Sequence, residues 1–489
     1  MMMSERKRLH PISAVASTLK RIKEMILPLI FLFVIERNGE EGPFWFYIVA
    51  AISILIPLAI GILTWIRFTY RIEEGELRIE SGIFVKKKRY IPFERIQSLD
   101  FSEGILQRPF GLVKVKVETA GSSSLTEAEA VLTAITKEEA KSIQDTLSLV
   151  KGGQTTMQIV DDEETIPVKN EENLYQITPS QLILLATTSG GVGVILSAIV
   201  AFIFQFDELI PFKKVYSGFQ HFIANGIVFV SLAALFVFLV AWILAFINTL
   251  LKFANFTVQK IEGDLIISRG LLEKRQITIP LNRIQGIRIS ENLIRQPLGL
   301  ATVYVESAGG SMDKESQSTI MVLPIVKKQE ISQLLQTILP DYDLNPEIVP
   351  VPKRAWQRYM FRGLFFPLLI VLAAVIFCRP WGYFSFLLLP LAAIWSHLKF
   401  KDAGWSIEDL QLTLRYRGII RNTVMMRKNK IQSLSIRRKY FQLRRRLVTV
   451  EATIISGIGG SGGTVHDMEA QDGRRIYQWY SRHHREDSF

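Results

Sequence analysis

The side chains best suited to chemistry in this sequence are clustered basic residues. Nine of them fall between positions 427 and 446: Arg427, Lys428, Lys430, Arg437, Arg438, Lys439, Arg444, Arg445 and Arg446. A second group lies near the start of the chain: Lys86, Lys87, Lys88 and Arg89. Basic clusters beside a membrane gain about 1 kcal/mol per residue from anionic lipids. We therefore treat both groups as candidate lipid-binding residues. The alternative is a solvated basic face that only reflects membrane topology.

Motifs for catalysis, metal binding or nucleotide binding do not stand out. The glycine-rich stretch 457–464 lacks the Gly-Lys-Ser/Thr that grips phosphates, so we interpret it as a loop between strands. The single cysteine, Cys378, excludes an intramolecular disulfide and a Cys-cluster zinc site. His483 and His484 are interpreted as part of a mobile tail. We predict no catalytic residues, no metal and no cofactor. Nucleic-acid binding is disfavoured because the basic residues are expected to be tethered at the membrane.

Apolar runs that could cross a membrane alternate with ordinary globular sequence. The chain of 489 residues has a net charge of +12, and 21% of its residues are charged although its mean hydropathy is +0.22. A spanning helix needs about 20 mostly apolar residues. We predict six helices in three hairpins, with a re-entrant or interfacial helix as the alternative for the shorter runs: Ile22–Ile35, Phe44–Trp65, Leu182–Phe204, Phe222–Leu251, Gly363–Phe377 and Trp381–Trp395.

Lys and Arg concentrate on the outer flanks of these hairpins and are sparse in the links within them. Cytoplasmic loops carry the excess of positive charge in membrane proteins. We therefore expect both termini and the globular parts to face the cytoplasm.

The sequence contains an internal repeat. A shift of 188 residues aligns Glu74–Gly121 with Glu262–Gly309, and 21 of these 48 positions are identical. A more divergent third copy follows, in which Lys430–Leu434 matches Arg95–Leu99 and Val450–Ala452 matches Val117–Thr119. In that alignment the third copy is two residues shorter, and Arg444–Leu447 replaces the Pro-x-Gly-Leu corner. The recurring residues are predicted to be structural: Pro92, Arg95, Gln97, Pro109 and Gly111, then Pro280, Arg283, Gln285, Pro297 and Gly299.

Within each copy the apolar residues alternate with polar ones, which is typical of half-buried strands. One helix follows the strands; in the first copy Thr136-x-x-Glu139 is a capping-box pattern. Similar segments also precede each hairpin, so the repeating unit is expected to start before the membrane. The predicted boundaries are: N-terminal tail and hairpin 1–66, α+β domain 67–150, acidic linker 151–176, hairpin 177–251, domain 252–340, linker 341–352, hairpin 353–398 and domain 399–489.

These features resemble those of the bacterial pleckstrin-homology-like (PH-like) membrane proteins, in the form that carries three repeats. The resemblance rests on the hairpins, the glycine turns at Gly82 and Gly270, the Ile-Pro-x-x-Arg-Ile-Gln segment and the Pro-x-Gly-Leu strand. It implies a seven-stranded PH-like barrel in each copy, closed by a C-terminal helix. It also implies a scaffolding or envelope function beside a smaller PH-like partner protein, and it supplies no catalytic residue.

The leading hypothesis is a non-enzymatic scaffold of a bacterial plasma membrane. It would bind anionic lipid and a partner protein and serve envelope stress or antimicrobial-peptide tolerance. The alternative is a transporter or exporter of a lipid or amphipathic peptide. The near absence of ionisable residues in the predicted spans disfavours that alternative.

Overall fold

The computed structural model describes residues 6–36, 44–119, 130–152, 171–191, 193, 196–197, 226–261, 263–308, 319–379, 381–455 and 460–481. Residues 457–459 of the glycine-rich stretch, and His483 and His484, lie outside these ranges. The chain forms two compact units. Unit 1 comprises Met1–Glu171, Ala254–Phe256 and Asp264–Pro280, and unit 2 comprises Glu172–Phe253, Thr257–Gly263 and Leu281–Phe489.

Each copy of the repeat contributes seven strands in the described part of the chain. In the first copy they are β1 (Lys7–Arg8), β2 (Thr69–Glu73), β3 (Glu76–Ser81), β4 (Lys87–Pro92), β5 (Ile96–Glu103), β6 (Leu112–Thr119) and β7 (Ala130–Thr136). In the second they are β8 (Glu171–Gln176), β9 (Thr257–Ile261), β10 (Asp264–Arg269), β11 (Lys274–Pro280), β12 (Ile284–Glu291), β13 (Leu300–Ser307) and β14 (Thr319–Lys327). In the third they are β15 (Val349–Pro350), β16 (Gly404–Glu408), β17 (Gln411–Arg417), β18 (Arg421–Arg427), β19 (Ile431–Arg437), β20 (Leu447–Ile454) and β21 (Ser461–Glu469).

The described helices fall between the first and second strands of each copy, after its last strand, or between the fifth and sixth strands of the third copy. They are α1 (Ile12–Glu36), α2 (Phe44–Arg67), α3 (Lys137–Gly152), α4 (Pro179–Thr188), α5 (Gly226–Phe253), α6 (Ile331–Gln336), α7 (Trp356–Phe377), α8 (Leu388–Asp402), α9 (Tyr440–Leu443) and α10 (Ala470–Tyr480).

Three described segments are long and apolar enough to cross a membrane: Ala234–Phe253, Lys353–Phe377 and Gly382–Asp402. A shorter apolar helical segment covers Ala51–Arg67. The predicted run Ile22–Ile35 lies within α1, whereas residues 192, 194–195 and 198–204 of the predicted run Leu182–Phe204 fall outside the described residues. Three complete hairpins therefore remain a prediction.

Consecutive helices approach each other closely at small residues. A Cβ added at Gly363 of α7 would lie 1.8 Å from Ser396 Oγ of α8. A Cβ added at Gly61 of α2 would lie 2.2 Å from Thr18 Oγ1 of α1. Small residues permit such close backbone contact between membrane helices.

The sheets are open, although the resemblance implied a closed barrel. In unit 1, β1-β2-β3-β4 form one sheet, and β7-β6-β5-β11-β10 are neighbours in another. In unit 2, β8 neighbours β9, β14-β13-β12-β18-β17-β16-β15 form one sheet, and β19-β20-β21 form the last. A 3-10 turn follows the fourth strand of each copy, at Phe93–Arg95, Leu281–Arg283 and Lys428–Lys430. Beyond this turn, β5 and β12 pair with the fourth strand of the next copy.

Consecutive copies are thus joined by strand pairing at two places. The first joint pairs β5 with β11, from Phe101 opposite Gln276 to Glu103 opposite Lys274. The second joint pairs β12 with β18 over a longer stretch, ending with Glu291 opposite Arg421. Both joints are antiparallel, and backbone hydrogen bonds between strands hold them.

The first strand of each copy precedes its helices in the chain. Lys7 of β1 pairs with Tyr70 of β2, and Val349 of β15 pairs with Trp405 of β16. These pairings confirm that the repeating unit starts before the membrane helices. The first strands lie in the ranges 1–66, 151–176 and 341–352, which the sequence assigns to a tail and two linkers.

The core of unit 1 lies between its strands and α3. Its buried side chains come from the alternating strand positions and from one helix face; they include Leu77, Phe93, Val115, Val117 and Ile143. The predicted capping box is confirmed, since Glu139 N–H donates to Thr136 Oγ1 (3.2 Å) and Thr136 N–H donates to Glu139 Oε2 (3.3 Å).

The predicted alignment of the third copy is wrong by two residues. Glu118 lies opposite Ser98 and Glu306 opposite Gly286, but Glu451 lies opposite Ser435. The outer partners Ile96 and Thr119, Ile284 and Ser307, and Ile431 and Ile454 are equally far apart in the chain, so the third copy is not shorter here. A shift of two residues leaves every side chain on the same face of a strand, and the apolar pattern alone therefore does not reveal the error.

Candidate membrane-surface site

One short segment connects the fifth and sixth strands in every copy, and we call it the corner: residues 104–111, 292–299 and 439–446. In the first copy it contains the 3-10 turn Arg108–Phe110, which includes Pro109. The first two corners end in a left-handed glycine, Gly111 or Gly299, each with φ 65°. Arg446 holds this position in the third copy with φ 52°. The Pro-x-Gly-Leu motif thus marks a turn whose last residue needs positive φ.

A long polar side chain fixes each corner from inside. In the first copy Gln107 Nε2 donates to the Thr133 carbonyl (3.2 Å). In the third copy Gln442 Nε2 donates to Asp467 Oδ1 (2.8 Å). These bonds hold the corner against the strand that precedes the closing helix.

Arg295 takes the same place in the second copy. Its guanidinium donates to Thr188 Oγ1 (2.8 Å) and Thr302 Oγ1 (2.6 Å). Burial lowers the pKa of Arg295. The bond to Thr188 ties this corner to the end of α4.

The corners also contact helices that lie between the first and second strands of each copy, or the residues just before them. Asn292 Nδ2 donates to the Thr188 carbonyl at the end of α4 (2.9 Å). Arg445 Nη1 donates to Gln357 Oε1 in the first turn of α7 (2.5 Å). In the first copy the Phe110 ring lies 6.0 Å from that of His10, which precedes α1. The third corner therefore lies beside the first turn of a helix in a segment that is long and apolar enough to cross a membrane.

Each corner presents two adjacent apolar side chains to the outside. They occupy equivalent positions and are between 38% and 67% exposed: Ile105 and Leu106, Leu293 and Ile294, Tyr440 and Phe441. Fully burying such a side chain gains about 1.5–3 kcal/mol, so its exposure to water is unfavourable. Apolar side chains that recur at one exposed place beside helix ends favour contact with the lipid interface.

The sequence prediction did not include these apolar pairs. The available signal was an apolar dipeptide just after the fifth strand, as in Ile105-Leu106 and Leu293-Ile294. The two-residue alignment error and the change to aromatic residues obscured the match with Tyr440-Phe441.

Six of the nine basic residues of the third copy lie in the third corner or just before it in the chain. Arg444 stacks on the Tyr440 ring (5.0 Å) and donates to its hydroxyl (2.8 Å). Arg437 is exposed and lies 3.0 Å from Glu451. The others are Arg438 and Lys439, which are exposed, and Arg445 and Arg446, at the end of the corner. The structure thus places one cationic group on the Tyr440 ring and five more in the same corner or just before it.

The other three basic residues lie at the opposite end of β19. Arg427 is bonded to Asp341, and Lys428 Nζ stacks over the Trp479 ring (5.5 Å). Lys430 Nζ donates to the Asn282 carbonyl (3.3 Å). These residues contact protein groups, and the structure does not bring them to the corner.

The basic run of the first copy lies on and before β4. Lys86 Nζ lies 2.7 Å from Glu80 Oε2 of the neighbouring strand, and Lys87, Lys88 and Arg89 are exposed. Phe84, in the preceding turn, is 99% exposed.

The remaining motif residues lie around the 3-10 turns and the joints. Pro92 and Pro280 end β4 and β11, and Arg95 and Arg283 end the turns that follow. Gln285 is buried and donates to the Arg283 carbonyl (2.9 Å). Gln97 lies on β5, and Pro297 lies in the second corner beside Gly299.

Three copies of seven strands, each combined with apolar helices, define a membrane protein with PH-like domains. The family model described as Bacterial PH domain matches residues 25–151, 192–341 and 365–484, and the chain belongs to this family.

Two relatives from Bacillus subtilis (strain 168) support this assignment. The chain is 38% identical over 495 residues to the UPF0699 transmembrane protein YdbT, covering 98% of this chain and 99% of that protein. It is 34% identical over 79 residues to the UPF0699 transmembrane protein YdbS, covering 16% of this chain and 46% of that protein.

Proposed function

We propose that this protein is a non-enzymatic scaffold of the bacterial plasma membrane. Its PH-like domains bind anionic lipid through their corners and hold a smaller PH-like partner protein. Both termini and all three PH-like domains face the cytoplasm. The main observation that supports this proposal is the exposed apolar pair that recurs at the corner of every copy.

The third corner combines two sources of membrane affinity. Tyr440 and Phe441 supply apolar surface that can enter the interface, where aromatic residues are favoured. Arg437, Arg438 and Arg444 supply charge that attracts anionic headgroups by about 1 kcal/mol per residue. The contact of Arg445 with α7 holds this surface beside the helix.

The test measures the depth of the third corner in the full chain. Cys378 is the single cysteine, so the Cys378→Ser, Phe441→Cys variant carries one label site for a polarity-sensitive fluorophore. We expect blue-shifted emission in phosphatidylglycerol vesicles, together with quenching by brominated lipid tails.

The matched control is Ile455→Cys in the same background. Ile455 is also exposed, but it follows the far end of β20, about 25 Å from the corner at ~3.3 Å per residue. Its label should remain water-exposed. Equal emission from the two labels would refute the lipid contact.

The contribution of charge is tested separately. Replacing Arg437, Arg438 and Arg444 with Ser should reduce the blue shift in phosphatidylglycerol but not in phosphatidylcholine. Raised salt should have the same effect on the unsubstituted corner, since salt screens surface charge.

A further inference from the structure

The first copy exposes one edge of a sheet that the later copies cover. Among the described residues, β4 is the outermost strand of the sheet β1-β2-β3-β4, and Lys87 to Tyr90 are exposed along it. Its counterparts β11 and β18 are each covered by the fifth strand of the preceding copy. The same edge is therefore paired twice within this chain and open once.

The two joints within the chain show which kind of strand pairs with this edge. Both have the same register, and both place a basic residue opposite the glutamate that ends the fifth strand. Lys274 lies opposite Glu103 in the first joint, and Arg421 lies opposite Glu291 in the second. In the second joint the charges meet directly, with Arg421 Nε donating to Glu291 Oε1 (3.1 Å).

Lys86 is the equivalent basic residue of the first copy. The 188-residue repeat places it at the position of Lys274. Its ammonium group bonds to Glu80 on its own sheet, and its side chain is still 59% exposed. A strand paired with β4 in the common register would place its last residue opposite Lys86.

The edge strand β19 of the third copy does not complement the β4 edge. Counted from Ile431 of β19, the eighth residue is Arg438, where β5 and β12 have Glu103 and Glu291. Pairing β19 of one chain with β4 of another would set Arg438 opposite Lys86. Like charges directly opposite each other destabilise a strand pair. A second copy of this chain is therefore a poor occupant.

We propose that the β4 edge docks the edge strand of a different PH-like protein, one whose strand ends in a glutamate opposite Lys86. The proposal rests on the proposed scaffold function and names the surface that holds the partner. Strand addition supplies backbone hydrogen bonds, and the basic side chains select an acidic strand end.

The neighbouring turn supports such an occupant. In the first joint Arg108 donates to the carbonyl of Leu271, so the turn before β11 lies against the corner of the preceding copy. The corresponding turn of the first copy carries Phe84 and Val85, which are 99% and 69% exposed. A docked domain with its own corner would cover this apolar surface.

The probe is a synthetic hairpin with the sequence of residues 95–119, which contains β5 and Glu103, and with Phe101→Cys. The full chain in lipid vesicles carries Cys378→Ser and Lys88→Cys. The common register places these two cysteines opposite each other. Disulfide capture is measured in a glutathione buffer, and we expect selective capture at Lys88→Cys.

Charge exchange tests the register and the pairing. Lys86→Glu in the protein should lower capture about fivefold, and Glu103→Lys in the peptide should restore it. The matched control is Lys327→Glu, which changes an exposed lysine at the end of the edge strand β14. It should leave capture unchanged.

Either of two results would overturn the proposal, and so would the absence of peptide capture. One is capture that does not respond to the charge exchange. The other is a disulfide between Lys88→Cys of one chain and Ile436→Cys of another, which would assign the edge to a second copy. The fluorescent label at Phe441→Cys is measured on a separate sample, in vesicles of the same composition. Loss of peptide capture with the lipid contact intact refutes the docking site alone. The reverse result refutes the lipid contact alone.

Discussion

Glu291 and Arg421 form an ion pair across the second joint, in which the Glu291 side chain is 3% exposed and the Arg421 side chain is 14% exposed. They are the last residue of β12 and the first of β18, and they lie opposite each other in the sheet. Arg421 Nη1 also donates to Asp402 Oδ1 at the end of α8 (3.3 Å). One arginine therefore connects the second copy, the third copy and the end of α8, which lies in a segment apolar enough to cross a membrane.

Replacing Arg421 should destabilise unit 2 more than replacing Glu291. Arg421→Met leaves Glu291 buried without this partner, and such a change costs about 3–5 kcal/mol. Glu291→Gln should cost less, because Arg421 keeps Asp402. The free energy of unfolding by urea in mild detergent measures both effects. Equal losses from the two variants would contradict the role of Asp402.

Gly286 should be essential to the second joint. A Cβ at this position would lie 2.9 Å from the Met425 carbonyl oxygen and 2.8 Å from Ile454 Cδ1. Gly286→Ala should therefore force β12 and β18 apart and cost about 1–3 kcal/mol. Hydrogen exchange of the β18 amides should accelerate. Gly418→Ala, where a Cβ meets nothing within 4 Å, is the control and should leave exchange unchanged.

Arg446→Gly should stabilise the third corner. The left-handed backbone at φ 52° costs a residue with a Cβ about 1–2 kcal/mol, and glycine adopts it without this cost. We expect a higher thermal midpoint for the full chain in detergent. Arg444→Gly removes the same charge at a right-handed position (φ −60°) and should lower that midpoint. A decrease in both variants would show that the arginine side chain matters more than the backbone.

Acidification should weaken unit 1 through Glu139. Burial raises the pKa of this carboxyl, but hydrogen bonds from Lys7, Tyr70 and the Thr136 N–H outweigh burial and lower it below 4.5. A depressed folded-state pKa stabilises the fold above the unfolded value, and this contribution is lost as pH falls through the folded value. The thermal midpoint should therefore fall less in Glu139→Gln than in the unsubstituted protein when the pH is lowered from neutral to below 4.5.

The matched control for this pH dependence is Glu138→Gln. Glu138 lies in the same helical turn but is exposed. Its substitution should leave the pH profile of the thermal midpoint unchanged. Identical profiles for the two variants would contradict the assignment to Glu139.

Much of the architecture could be predicted from local sequence features. Long apolar runs identify candidate membrane helices because backbone groups in lipid must bond within the helix. Identities such as Arg95-Ile96-Gln97 with Arg283-Ile284-Gln285 identify the repeat directly. The capping box at Thr136 and Glu139 was predictable because its two hydrogen bonds join residues three positions apart.

The candidate site was only partly predictable. The basic residues around Tyr440 and Phe441 could be found from charge alone, but their neighbours Arg427, Lys428 and Lys430 lie at the other end of β19. Residues close in sequence separate when a strand runs between them. The apolar pairs were missed because exposure is a property of the folded surface.

The sequence by itself determined the membrane class, the three copies and their alternating strands, since hydropathy, identity and periodicity are local properties. Only the tertiary structure decided that β5 and β12 pair with the following copy, and that β4 is an edge strand among the described residues. The physical reason is that strand pairing uses the backbone, which is nearly the same in every residue. Side-chain alternation fixes the faces of a strand but does not choose its neighbour; packing and a few cross-strand charges such as Glu291 and Arg421 make that choice.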